Sequence, residues 1–72
     1  MARRKTAVHV QLNSKGGWDV VREGNKRPTT SRDTQREALV VARDLAQQDQ
    51  TVVHLHSQEG TVRRSYSYVP RT

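Results

Sequence analysis

The first periodic stretch is Ala7-Val8-His9-Val10-Gln11-Leu12, where Val8, Val10 and Leu12 alternate with Ala7, His9 and Gln11. A period of two marks a strand with one buried face. Ser14-Lys15-Gly16-Gly17 follows, a turn cluster whose glycines tolerate positive φ. Trp18 to Glu23 alternates again, with Trp18 and Val20 on one face, so the two runs predict a hairpin. Gly24 to Asp33 is polar and carries Gly, Asn, Pro, Thr and Ser, which predicts a loop.

The period then changes. Ala38, Leu39, Val41, Ala42, Leu45 and Ala46 recur at three- and four-residue steps, the apolar stripe of a helix from about residue 35 to 48. Thr34-Gln35-Arg36-Glu37 has the form of a capping box. The Thr34 hydroxyl accepts from the Glu37 amide and the Glu37 carboxylate reaches back to the Thr34 amide, with Asp33 as a rival cap. Val40 falls outside the stripe, and no glycine closes Gln47-Gln48-Asp49-Gln50, so the end is soft. Thr51 to Gln58 reads as a strand with Val53 and Leu55 on one face and Val52, His54 and His56 on the other. After the turn Gln58-Glu59-Gly60, Thr61 to Tyr68 places Val62, Arg64, Tyr66 and Tyr68 on one face. Thr61, Arg63, Ser65 and Ser67 take the other. Pro70 ends pairing. The predicted fold class is α+β: a ββαββ unit whose four-stranded, mainly antiparallel sheet carries one helix on one face. The chain divides into a basic arm (1–6), a single domain (7–69) and a short tail (70–72).

Several segments together resemble a bacterial domain-of-unknown-function family, number 2188. They are Val8-His9-Val10, Gly17-Trp18-Asp19-Val20, Arg22-Glu23-Gly24, Thr34-Gln35-Arg36-Glu37-Ala38, Ala42-Arg43 and His56-Ser57-Gln58-Glu59-Gly60-Thr61-Val62. The resemblance implies a small stand-alone prokaryotic or phage protein with a two-layer α+β fold, and it brings no activity with it. The chain departs from the family pattern at His54, where an aliphatic residue is typical, and in its basic N-terminal arm.

Composition narrows the function classes. The 72 residues are 32% hydrophobic and include no cysteine. The longest apolar run, Ala38 to Ala42, is far short of the roughly 20 residues a membrane span needs. No disulfide or thiolate site is available. The basic start has no apolar stretch behind it, so a secretory signal is not expected and a cytoplasmic setting is. Ser14, Ser31, Ser57, Ser65 and Ser67 sit in no nucleophile motif. Gly16-Gly17 lacks a following Lys-Ser/Thr and opens no helix. No enzyme activity and no cofactor are expected. His54 and His56, with His9 on the matching strand face, make a weak candidate for Zn²⁺. The favoured reading is that His56 hydrogen-bonds the following turn and His54 lies on the surface, with no metal.

The charge is uneven. Thirteen Lys and Arg against seven Asp and Glu give +6. Residues 1–6 contribute +3 through Arg3, Arg4 and Lys5, and residues 61–72 contribute +3 through Arg63, Arg64 and Arg71. The middle holds seven of each sign, and its acids are expected mainly in solvated pairs with neighbouring bases. The expected nucleic-acid contacts are Arg3, Arg4, Lys5, Arg63 and Arg64, joined by Lys26, Arg27 and Arg32, acting nonspecifically on phosphates. Tyr66 and Tyr68 would stack on bases if exposed. The helix mixes Arg36 and Arg43 with Glu37 and Asp44, which makes it a poor recognition helix. If the helix returns the chain so that the first and fourth strands run parallel as neighbours, the arm meets Arg63 and Arg64. If the fourth strand is a far edge, the patch divides in two. The alternative function is a protein-binding or self-associating module. Its open sheet face would present Val21, Val52 and His54 to a partner or a second copy.

Overall fold

The computed structural model describes residues 6–25 and 27–70. Arg3, Arg4, Lys5, Lys26 and Arg71 lie outside the described residues. The elements are β1 (Val8–Leu12), β2 (Trp18–Arg22), β3 (Thr30–Arg32), α1 (Gln35–Asp49), β4 (Val52–His56) and β5 (Val62–Ser67). They form one helix on a five-stranded mixed sheet of order β3-β2-β1-β4-β5.

The expected four strands are present, and a fifth, β3, lies inside the segment read as a loop. Its residues, Thr30-Ser31-Arg32, carry no apolar alternation to betray it. Pairing comes from its neighbour instead: Trp18 faces Arg32, Asp19 faces Ser31 and Val20 faces Thr30, antiparallel. The Ser31 hydroxyl donates to the Asp19 carboxylate at 2.6 Å and fixes that register.

The extra strand reverses the expected topology. A helix crossover joins parallel strands, and α1 does so, but it joins β3 to β4. Because β3 is antiparallel to β2, β4 runs parallel to β1 and pairs directly with it, Val8 to Val53 and Val10 to Leu55. The last strand, β5, is antiparallel to β4 and so antiparallel to β1, at the far edge of the sheet. The expectation of parallel first and last strands is therefore corrected. The start of β1 lies level with Tyr66, while Arg64 lies level with Val10.

Alternation decides what is buried. Val8, Val10, Trp18, Val20, Val53 and Leu55 point to the helix side and meet Ala38, Ala42 and Ala46. These alanines recur every fourth residue on one line of the helix, and their small side chains bring α1 close to the sheet. Val40 lies on the outer side and is exposed. Thr34 is the N-cap: its hydroxyl accepts from the Glu37 amide at 3.1 Å and donates to the Glu37 carboxylate at 2.9 Å. The return arm of the box thus runs through the hydroxyl. At the other end Gln50 adopts a left-handed conformation, φ 55, in place of a glycine. Arg22 ion-pairs with Asp49 and ties the last helical turn to β2. The hairpin turn depends on Gly17, where an added Cβ would lie 2.9 Å from the Arg32 carbonyl oxygen.

Candidate functional site

On α1, residues seven apart share a face after two turns. Arg36 and Arg43 therefore form one ridge, and Glu37 and Asp44 form another, rotated by one residue. The arginine ridge is the one beside β5. The Arg43 Nε donates to the Tyr68 hydroxyl at 2.7 Å, and its guanidinium sits 5.1 Å from the centroid of the Tyr66 ring. The hydrogen bond to Tyr68, and then the charge interaction with it, raise Arg43 above its ordinary value. At the start of α1, Gln35 donates to the His56 carbonyl at 3.0 Å and accepts from Arg63 at 3.3 Å. The first helical turn is thus joined to the start of β5.

A bulge places Arg63. Leu55 pairs with Arg64 but His56 pairs with Val62, so Arg63 is the extra residue. Sequence alternation puts Arg63 on the open face and Val62 on the helix face. The structure reverses both: Arg63 reaches α1, and Val62 is opposite His56. Basic side chains thus approach the α1–β5 side at two points, Arg43 over Tyr66 and Tyr68 and Arg63 at Gln35 in the first helical turn, while Arg36 shares the ridge of Arg43 and Arg64 lies on the helix face of β5 opposite Leu55. Residues 61–72 contain no acid. The acidic ridge is occupied elsewhere, with Glu37 on the helix cap and Asp44 accepting from Gln48 at 3.5 Å. Glu59, in the preceding turn, borders Arg63 without an ion pair.

Charges in the middle of the chain balance by count but not in space. Of Lys15, Arg22, Arg27, Arg32, Arg36, Arg43, Arg63 and Arg64, only Arg22 makes an ion pair among the described residues. The expected solvated pairs are mostly not formed. Arg32 turns back onto Thr30 and its own strand. Arg27 is exposed in the β2–β3 loop, at the end of the sheet where Glu23 bonds Ala7. Neither joins Arg63 and Arg64. Tyr66 and Tyr68 are half-buried against the core, so Arg43 rather than a base covers Tyr66. Arg36 and Arg43 were absent from the sequence-based contact set, and their seven-residue spacing is the signal that points to them.

The open face of the sheet is imidazole-rich rather than apolar. His9 is opposite both Val21 and His54 across its two strand pairings. Val21 and Val52 are half-buried and stand on strands separated by β1, so they form no continuous apolar patch. The His9 ring is 5.1 Å from those of both His54 and His56. His54 Nδ1 is 2.9 Å from the Ser65 hydroxyl. As expected, His56 bonds its turn, through Nδ1 to the Gly60 carbonyl at 3.1 Å. Among the described residues, no group of three His, Asp or Glu side chains is placed to hold a metal ion. No described helix is long and apolar enough to cross a membrane.

Fold and surface together define a small α+β protein, one helix on a five-stranded sheet, with arginines of α1 and β5 on the β5 side. The chain belongs to the family described as "Uncharacterized protein conserved in bacteria (DUF2188)", whose pattern matches residues 8–68. A relative in Bacillus subtilis (strain 168), "Uncharacterized protein YdaT", is 40% identical over 58 residues, which is 81% of this chain. The chain spans 38% of that relative's length. No solved structure gives a significant match.

Proposed function

We propose that this is a small non-enzymatic binding protein that contacts nucleic acid through the phosphate backbone, using Arg36, Arg43, Arg63 and Arg64. The observation that supports the reading is that the arginine ridge of α1 stands beside β5, which lies in a segment, residues 61–72, that contains no acid. None of the four arginines makes an ion pair among the described residues. Phosphates are bound by such groups largely through counterion release, and guanidinium forks suit their oxygens. Arg43 is held in place by Tyr68 and Tyr66, which lowers the entropy lost on contact. Phosphate contacts carry no sequence information, so the proposed binding is nonspecific. Arg3, Arg4 and Lys5 add to it as further phosphate contacts.

Fluorescence anisotropy with the full chain, a labelled duplex DNA and a matched RNA tests the reading. Binding at low salt that falls steeply as salt rises is expected. Weakening by the R36A/R43A and R63A/R64A double variants, and little change in R27A, are expected too. Absence of binding at low salt, or binding indifferent to salt, would refute it.

A further inference from the structure

Two imidazoles on the open face stand in a line between two acceptors. His56 Nδ1 lies 3.1 Å from the Gly60 carbonyl, His56 Nε2 lies 2.9 Å from His9 Nδ1, and His9 Nε2 lies 3.1 Å from Glu23 Oε1. A backbone carbonyl and a carboxylate only accept. His56 Nδ1 and His9 Nε2 must therefore each carry hydrogen. A neutral imidazole has a single N–H. Were both rings neutral, their two inward nitrogens would be bare and would face each other, lone pair to lone pair, at 2.9 Å. That separation suits a hydrogen bond and is repulsive for two lone pairs.

We propose that His9 and His56 form a shared-proton site. The pair holds three ring protons, with the third between His9 Nδ1 and His56 Nε2. Its single positive charge is balanced by Glu23. The fold builds the site from the sheet register: β1 and β4 are parallel neighbours, and His9 is opposite His54, which sets His56 diagonally across from it.

The surrounding groups leave this assignment intact. On β4, His54 meets the Ser65 hydroxyl of β5, which either donates or accepts, so His54 needs no extra proton. On β2, Arg22 is committed to Asp49 of α1 and Asp19 to Asn13 and Ser31. At this point of the face β5 presents Ser65 and Val62, neither of them charged. Loss of the third proton leaves one of the three bonds without a hydrogen. The contact to Glu23 is the one released, because the Glu23 side chain is 61% exposed and water replaces its partner, while that of His9 is 21% exposed. Occupancy of the site by a proton therefore docks or frees Glu23, at the head of the β2–β3 loop.

Two-bond ¹H–¹⁵N spectra of the ¹⁵N-labelled full chain at pH 7 test the proposal. Expected are protonated His56 Nδ1 and His9 Nε2, with His9 Nδ1 and His56 Nε2 both shifted midway between bare and protonated nitrogen. In Glu23→Gln the amide donates to His9 Nε2, so the pair is expected to hold two protons instead of three. The exposed position of Glu23 preserves the fold, which the amide spectrum of the variant verifies. Two neutral rings in the unsubstituted protein, or an unchanged count of three protons in the variant, would overturn the proposal.

Discussion

Replacing Arg63 and Arg64 together by alanine changes the salt dependence of nucleic-acid binding by a calculable amount. Both side chains are exposed, and among the described residues the only side-chain hydrogen bond either makes to another element is the Arg63–Gln35 contact, so the fold is retained. For duplex DNA, log K falls with log salt at about 0.9 per neutralised phosphate. The four proposed arginine contacts therefore give a slope of about −3.6, and affinity drops about 150-fold between 50 and 200 mM salt. The double variant keeps two contacts, so its slope is about −1.8 and its drop about 12-fold. At 100 mM salt, the two lost contacts weaken binding by about 60-fold. Any contact from Arg3, Arg4 or Lys5 adds equally to both proteins and leaves the slope difference of about 1.8 unchanged. Anisotropy titrations at four or five salt concentrations measure both slopes. Equal slopes in the two proteins would refute the assignment of phosphate contacts to β5.

Other substitutions probe the scaffold beneath these arginines. Val10 is fully buried, and V10A is expected to cost about 2 kcal/mol, two methyl equivalents plus a cavity. A small core supplies only about 3–5 kcal/mol, so the midpoint in urea unfolding should fall by roughly half. T34A removes the helix N-cap and is expected to cost about 1 kcal/mol, lowering the melting temperature by about 4–8 °C; an unchanged melt would mean that Asp33 caps in its place. In G17A the new methyl meets the Arg32 carbonyl at 2.9 Å, so a loss of about 1–3 kcal/mol is expected from the same unfolding measurement.

What the chain reveals of itself depends on whether a feature is local. The strands β1, β2 and β4 are readable because one face of each is buried and alternates, as in Val8-His9-Val10 and Val53-His54-Leu55. Helix α1 is readable from its alanine line and from Thr34. Strand β3 is not, because Thr30-Ser31-Arg32 buries no large side chain and owes its pairing to Asp19 and Trp18 on another strand. Missing one strand inverted the sense of every later one, and with it the position of β5. The candidate site follows the same rule. Arg63 and Arg64 stand out as basic residues in an acid-free segment, but a bulge, which no pattern marks, turns Arg63 toward the helix. Arg36 and Arg43 look diluted by Glu37 and Asp44 until the ridges are separated by helical geometry.

Chemical-shift mapping tests the central claim most directly. The ¹⁵N-labelled full chain is titrated with a short duplex DNA at low salt, and amide shifts are followed residue by residue. The account expects the largest changes along Val62–Tyr68 and at Arg36, Gln35 and Arg43. Changes centred on His9, Val21, Val52 and His54, with the β5 amides unmoved, would contradict it and place the contact on the open sheet face.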